Sequence, residues 1–277
     1  MEISYHVVFY EDESPPLLDY LKQHKVQYNQ VDTLIAFDML ESNPHWAFVE
    51  KCVISRSLFA WPAKIFTKKE LLEAEWFVLW SRWHFDYPQP EDSYWNEITY
   101  TQKYTCKICE NGEKQIASFR MKRPPKWGKR GILMMNWIAD EFFVSEETKQ
   151  LLEQEEFSDI SFCEVQNKSG EETFPGVYQL MIHQYLPGNA IKDCTYSPGF
   201  FVCSGCGRKI YKPNLKEKVI YRKEAFKDLP DIVKTTDYLG HEGSGSSQQI
   251  IVNQRFYRTI TKHHLDRSLE FEPIDLA

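Results

Sequence analysis

The segment that decides the fold is Cys203-Ser204-Gly205-Cys206-Gly207-Arg208-Lys209, because the earlier segment Cys106-Lys107-Ile108-Cys109 repeats its cysteine spacing. A Cys-x-x-Cys turn supplies two thiolates to one ion, and structural Zn²⁺ takes four ligands in a tetrahedron. The sequence therefore predicts one structural zinc site whose ligands are Cys106, Cys109, Cys203 and Cys206. Four thiolates leave no coordination position for water, which argues against a catalytic metal.

The residues beside the cysteines fit such a site. Gly207 can adopt the positive φ that lets backbone N–H groups point at sulfur. The earlier turn has no glycine directly after its second cysteine, and we expect Asn111 or Gly112 to take this role. Positive side chains can balance the negative charge of the thiolates, and the candidates are Lys107, Arg208 and Lys209. Unligated cysteines and a redox dithiol are the alternatives.

The other three of the seven cysteines, Cys52, Cys163 and Cys194, lie outside these turns, and we interpret them as small core residues. The N-terminal segment Met1–Tyr5 has no basic region of the kind that begins a secretion signal, and no apolar run is long enough to span a membrane. The sequence thus predicts a cytoplasmic protein without membrane contact. In that compartment paired cysteines favour metal binding over disulfides.

The length and composition are those of a folded protein with two modest domains or one large one. The chain has 277 residues, 42% of them hydrophobic and 15% aromatic, and a formal net charge of −7. An acidic chain is unsuited to broad contact with a phosphate backbone, which usually requires a basic surface. An acidic surface suits solubility, or pairing with a basic protein partner, instead.

Residues 1–95 are predicted to form an N-terminal α/β domain. The pattern indicates two strands and two helices, and it leaves residues 45–57 open between helix and strand. A capping box at Thr67–Glu70 favours a helix after it. The predicted elements are the strands His6–Tyr10 and Thr33–Phe37, a helix around Leu17–Leu21 capped by Ser14, and a helix Leu71–Trp83 that ends before the linker Pro88–Asp92.

Residues 100–277 are predicted to contain a duplicated Cys-x-x-Cys module, with copies at about 100–190 and 197–277. Ser145 and Asn253 are expected to cap two helices, and the apolar positions around these caps match at a separation of 108 residues. Strands are expected at Gln115–Met121, Gly131–Trp137 and Ile160–Val165. The Gly- and Ser-rich stretch 238–249 is expected to be a surface loop.

Two further segments suggest other functions. The basic segment Arg120–Arg130 surrounds Trp127 and would suit nucleic acid, although a solvated loop fits it equally. The loop Gly240–Gly245 contains His241-Glu242, a lead towards an enzyme. The pair His263-His264 near a helix end is interpreted as a surface pair.

The two cysteine turns and the closing segment Phe271-Glu272-Pro273-Ile274 resemble those of bacterial double-CxxCG-motif proteins, a family that includes Myxococcus members associated with toxin immunity. The resemblance covers roughly residues 100–277, and it implies a metal-stabilised α+β protein that neutralises a toxin by binding it. No catalytic residue carries over from it. The chain departs from the motif because Glu110, and not glycine, follows Cys109.

The sequence thus predicts an α+β protein: an N-terminal α/β unit followed by two related β-rich modules joined by a four-cysteine zinc site. The predicted function is non-enzymatic protein binding, with toxin neutralisation as the specific form that the resemblance implies. A zinc-ribbon nucleic-acid-binding protein that uses Arg120–Arg130 and an enzyme with its site at Gly240–Gly245 remain the alternatives.

Overall fold

Helices and strands are mixed along the whole chain, as predicted for an α+β protein. The computed structural model describes residues 1–92, 94–192, 199–213, 215–240 and 245–277. The chain divides into one unit of Met1–Leu71 with Leu215–Glu217, and a second of Leu72–Asn214 with Lys218–Ala277. None of the helices formed by the described residues is both long and apolar enough to cross a membrane.

The first unit is a four-stranded antiparallel sheet with two main helices. Its elements are β1 (Glu2–Tyr10), α1 (Pro15–Gln23), β2 (Asn29–Val31), β3 (Leu34–Leu40), α2 (Trp46–Arg56) and β4 (Phe59–Ile65), and the short α3 (Lys68–Glu73) follows. The strand order β2-β3-β1-β4 and the β-α-β-β-α-β sequence give a ferredoxin-like arrangement. Alternate residues of β1, such as Val7, are fully buried with Leu17 of α1 and Val49 of α2.

The predicted strands and the α1 helix of this unit are confirmed, and the segment that the pattern left open is the helix α2. Ser14 stands at the N-cap of α1, but its side chain makes no capping hydrogen bond. The capping box is confirmed, since the Glu70 N–H donates to Thr67 Oγ1 at 3.2 Å and the Thr67 N–H donates to Glu70 Oε2 at 2.8 Å. It begins only the short α3.

The helix predicted at Leu71–Trp83 is wrong, because most of this segment is the strand β5 (Trp76–Ser81). Phe77, Val78 and Leu79 are buried on both faces of a sheet in the second unit. A central strand with both faces buried shows an unbroken apolar run, which periodicity alone does not distinguish from a buried helix. The pairing of β5 also places the observed division of the chain at Leu71 and not near residue 95.

The second unit contains most of the remaining elements. After β5 they are α4 (Tyr94–Thr99), β6 (Tyr100–Thr101), β7 (Lys114–Gln115), β8 (Ile132–Leu133), β9 (Phe142–Ser145), α5 (Glu146–Gln154), β10 (Ile160–Gln166), β11 (Thr173–Ile182), β12 (Phe200–Val202), β13 (Lys209–Tyr211), β14 (Ile220–Tyr221), β15 (Ile232–Gly240), β16 (Ser246–Asn253), α6 (Gln254–Lys262), β17 (Leu269–Pro273) and β18 (Asp275–Leu276).

One four-strand pattern occurs twice in this unit. The order β10-β11-β9-β8 in one sheet corresponds to β17-β5-β16-β15 in the other. The registers also correspond, because Val144 pairs with Ile132 in the first copy and Val252 pairs with Ile232 in the second. Both copies continue from their third strand into a capped helix, and the predicted caps are confirmed at Ser145 and Asn253.

The two copies exchange a strand. β5 precedes the first copy in the chain but pairs with β16 and β17 of the second, whereas β11 precedes the second copy but pairs with β9 and β10 of the first. After β5 the chain crosses to the first copy, where His84 bridges to Met134; after β11 it crosses to the second, where Tyr185 bridges to Lys234. Each copy thus completes the sheet of the other, as in a strand-swapped dimer within one chain.

Because of this exchange, the first copy begins at β5 and the second at β11. The predicted starts near residues 100 and 197 are therefore too late in the chain. The strands predicted at Gln115–Met121 and Gly131–Trp137 are wrong over most of their length, since only β7 and β8 form there. Buried side chains such as Phe119 lie there on irregular backbone. The loop predicted at 238–249 is also shorter than expected, because β15 continues to Gly240 and β16 begins at Ser246.

Candidate metal centre

Each Cys-x-x-Cys segment lies between the two strands of a short antiparallel hairpin. β6 pairs with β7 around Cys106 and Cys109, and β12 pairs with β13 around Cys203 and Cys206. The hairpins belong to different copies of the repeated pattern. The same local structure therefore brings two sulfur atoms from each copy to one place.

The two turns have the same backbone hydrogen bonds. The Cys106 N–H donates to the Asn111 carbonyl at 3.0 Å, and the Cys203 N–H donates to the Arg208 carbonyl at 2.9 Å. One residue after the second cysteine, a backbone N–H donates back to the carbonyl of the first cysteine, at 2.8 Å in the earlier turn and 2.9 Å in the later. The two cysteine turns are thus structurally equivalent.

That equivalence shows which residue of the earlier turn corresponds to Gly207. Glu110, with φ of 57°, occupies the position that Gly207, with φ of 72°, occupies in the later turn. The predicted residues contribute beside it, since Gly112 also has a positive φ, of 100°, and the Asn111 N–H donates to the Cys109 sulfur. The equivalent position nevertheless belongs to Glu110, which adopts positive φ less readily than asparagine or glycine. The backbone requirement of the turn therefore overrides the preference of the side chain.

The four sulfur atoms form one cluster. Cys106 Sγ lies 3.7 Å from Cys203 Sγ, and Cys109 Sγ lies 3.7 Å from Cys206 Sγ. All four atoms lie within 4.8 Å of one another, and all four cysteines are free of disulfides. Zinc–sulfur bonds of about 2.3 Å in a tetrahedron place sulfur atoms about 3.8 Å apart. The donor set and its spacing fit a metal ion.

Close approach of the two turns depends on Gly205. A Cβ atom at this position would lie 3.0 Å from Cys106 Sγ and 3.0 Å from Ile108 Cδ1. These distances are shorter than ordinary van der Waals contacts, so a larger residue would push the turns apart. Glycine is needed at position 205 because a side chain would contact the other turn, whereas at position 207 it is favoured because the backbone has a positive φ.

Hydrogen-bond donors surround the sulfur atoms. The backbone N–H groups of Cys109 and Ile108 lower the pKa of Cys106 to about 6, and that of Gly205 lowers the pKa of Cys203. Arg208 Nη1 donates to the Asn111 carbonyl at 2.7 Å and lies 3.6 Å from Cys206 Sγ. The guanidinium group thus connects the two turns beside the thiolates.

Of the three predicted counter-charges, Arg208 lies against sulfur, 3.6 Å from Cys206 Sγ. The Lys209 ammonium lies 4.3 Å from the centre of the Phe200 ring, and Lys107 is exposed.

A polar cavity of about 860 Å³, which no motif of the sequence predicts, adjoins the cysteine turns. It contains a buried ion pair between Lys234 Nζ and Glu141 Oε1. The pKa of Lys234 is raised, because the carboxylates of Glu141 and Asp140 outweigh the opposing effect of burial. Burial raises the pKa of Glu141, although Lys234 acts against that shift. No sequence motif marks this pair, whose members are far apart in the chain.

The other predicted residues do not join the site. Cys52 is buried, and burial raises the pKa of its thiol. Cys163 lies 3.2 Å from the Ser118 hydroxyl, and His263-His264 is exposed at the end of α6. Cys194 and His241-Glu242 lie outside the described residues.

The basic segment Arg120–Arg130 is a surface loop anchored by the buried residues Met121 and Pro125. Arg123 lies 5.6 Å from the centre of the Phe85 ring, and Arg130 lies 4.7 Å from that of Trp83. Arg120 is half-buried, and the other five cationic side chains of the segment are exposed; they are Lys122, Arg123, Lys126, Lys129 and Arg130.

Comparison with protein-family models and with curated proteins finds no match to this chain.

Proposed function

We propose that this chain is a non-enzymatic protein-binding protein whose four clustered cysteines hold one structural Zn²⁺. The observation that supports the metal is the meeting of four sulfur atoms, two from each repeated copy, at tetrahedral spacing. Zinc with four thiolates has a closed coordination shell, so its contribution is stability and not chemistry. The ion ties together two copies that already exchange strands.

The free energy of zinc binding is large enough to offset the entropy lost when the two cysteine turns are brought together. Joining the tips of two hairpins that are far apart in the chain costs a few kcal/mol of chain entropy, which grows only slowly with loop length. Structural Zn²⁺ binds zinc-finger peptides with about 10–16 kcal/mol, so metal binding offsets that cost. Arg208 adds positive charge beside the thiolates.

Protein binding is supported by the first unit, where the sheet face opposite the helices is rich in exposed apolar side chains. On the edge strand β4, Phe59, Trp61 and Ile65 are 59%, 52% and 44% exposed. They point to one side because residues alternate along a strand. Large aromatic residues are enriched in protein interfaces, where a few of them supply most of the binding energy.

The partner that best fits this surface is a protein with an apolar patch and a basic rim, given the net charge of −7. A toxin that is neutralised by binding is such a partner, and the resemblance of the cysteine motifs is the reason to test one first.

The partner is sought by affinity capture from the native organism, followed by calorimetry on the purified complex. We expect F59D/W61D to abolish capture and to weaken the measured affinity at least a hundredfold. The matched control is Ile54→Asp, which changes a residue that is 72% exposed on α2. If the double variant and the wild type capture the partner equally well, this surface is not the binding site.

Nucleic-acid binding is the second candidate, and the exposed cations of the basic loop favour it. Its signature would be affinity for RNA or DNA that falls steeply with salt and is lost in K126E/K129E/R130E. Retention of partner capture by that variant would favour the protein-binding function.

A further inference from the structure

The cavity beside the cysteine turns is lined by three carboxylates and three Lys or Arg cations, but only one ion pair forms among these described residues. The carboxylates are those of Glu113, Asp140 and Glu141, of which Glu141 is paired with Lys234. Among the described residues, no cation forms an ion pair with Glu113 or Asp140. Glu113 accepts one hydrogen bond, from Asn96 Nδ2 at 3.2 Å.

The other cations of the cavity are engaged elsewhere. Arg208 donates to the Asn111 carbonyl and lies against Cys206 Sγ. The Lys114 ammonium lies 4.7 Å from the centre of the Tyr104 ring. Burial and the neighbouring carboxylate of Asp140 raise the pKa of Glu113. The cavity therefore holds two carboxylates, those of Glu113 and Asp140, that form no ion pair among the described residues and would be stabilised by a further positive group in the cavity.

Aromatic side chains line the same cavity. Trp137 is 59% exposed, although its backbone is held at φ of 69°, a conformation that is unusual for a bulky residue. Its ring lies 4.6 Å from the ring of Tyr87. Trp95 and Tyr185 also line the cavity, and Tyr185 is 43% exposed. Tryptophan and tyrosine faces attract organic cations.

The lysine of the buried ion pair in the cavity wall is present in only one of the two repeated copies. Lys234 and Met134 occupy equivalent register positions in the two copies, because each bridges to the segment that follows the exchanged strand. The two copies therefore differ at a position that lines the cavity, where one has the charged Lys234 and the other the uncharged Met134.

We propose that the cavity binds a guanidinium or alkylammonium group, held between Glu113 and Asp140 and against the rings of Trp137 and Tyr185. A metal ion is a poorer fit, because among the described residues the four cysteines are the only group of three or more potential ligands close enough to share one. The volume of about 860 Å³ lies in the range of small-molecule pockets. The cation belongs either to a free small molecule or to an arginine or lysine of a protein partner.

The test is calorimetric titration of the zinc-loaded full-length chain with L-argininamide and with citrullinamide, both acetylated at the α-amine, so that the guanidinium is the only cation of the first and the second is neutral. We expect argininamide to bind and citrullinamide to bind at least tenfold more weakly, because the charged hydrogen bonds are lost. Asp140→Asn and Glu113→Gln should each weaken argininamide binding roughly tenfold or more. Trp137→Ala should weaken it a few-fold.

The matched control is Glu97→Gln, which removes an exposed carboxylate from α4, the helix that carries Trp95, without touching the cavity. Circular dichroism and zinc content show that each variant is folded, and Asp140→Asn, at a partly exposed position, remains informative should Glu113→Gln not fold. Absence of argininamide binding, or equal binding by wild type and Asp140→Asn, would overturn the proposal.

A second arm separates the two sources of the cation. Tighter binding of the tripeptide Ala-Arg-Ala than of argininamide identifies a partner side chain as the ligand, and the reverse order identifies a free small molecule. The inference does not depend on the proposed function: the F59D/W61D variant should bind argininamide normally, and Asp140→Asn should retain its zinc.

Discussion

Removing one member of the buried ion pair should cost far more stability than removing both. The Lys234 and Glu141 side chains are 5% and 12% exposed, and the Lys234 ammonium contacts the Glu141 carboxylate. Gln179 Nε2 also donates to Glu141 at 3.0 Å. Lys234→Met leaves that carboxylate buried with one amide donor and no cation.

The expected magnitude follows from this environment. An unpaired buried charge typically costs about 3–5 kcal/mol, so Lys234→Met should lower the free energy of unfolding by about that amount. Replacement of a whole buried pair by uncharged residues of similar size is often close to neutral. K234M/E141Q should therefore be more stable than Lys234→Met, and its loss should be smaller than the sum of the two single losses.

The pH dependence has a definite sign. In Lys234→Met the pKa of Glu141, already raised by burial, should rise further because the cation that opposed this shift is gone. A raised folded-state pKa favours the folded state only when the carboxyl is protonated. The stability difference from wild type should thus be largest at neutral and alkaline pH, and it should shrink as pH falls towards the ordinary glutamate pKa of about 4.3.

Urea unfolding of the zinc-loaded proteins, followed by tryptophan fluorescence at several pH values, measures these differences. A loss below about 1 kcal/mol for Lys234→Met, or strictly additive losses in the double variant, would refute the reasoning.

Four local substitutions test the cysteine turns and a helix cap. Glu110→Gly should stabilise the chain by about 1 kcal/mol, because glycine removes the left-handed strain without loss of a sulfur; no gain in the urea midpoint would contradict this. Gly205→Ala should lower zinc affinity in chelator competition, since its Cβ would crowd Cys106 Sγ, whereas Gly207→Ala should strain the backbone without that clash; equal affinities would contradict the steric account. Asn253→Ala should cost about 1–2 kcal/mol in urea unfolding, because the cap of α6 is lost, and an unchanged midpoint would count against it.

Features encoded in short segments could be predicted from the sequence. The clustering of four cysteines follows from the chemistry of two identical turns, and Ser145 and Asn253 cap helices because a short polar side chain accepts from a backbone N–H three residues later. The capping box at Thr67–Glu70 has the same local origin.

Features that depend on distant partners could not be predicted. The apolar run Phe77–Leu79 is a strand and not a helix because β16 and β17 lie on either side of it, nearly two hundred residues later. Glu110 takes a left-handed conformation that its side chain does not favour, since the turn requires it. The pairing of Lys234 with Glu141 joins residues 93 positions apart in the chain, so no local pattern predicts it or the cavity that contains it.

We propose that sulfur atoms from both copies hold one metal ion. Elemental analysis and cobalt substitution of the purified full-length chain measure this. We expect one Zn²⁺ per chain, a cobalt spectrum typical of tetrahedral thiolate coordination, and loss of both the metal and much of the stability in Cys203→Ser. If protein purified under reducing conditions without chelator is metal-free and stably folded, the proposed zinc site is wrong.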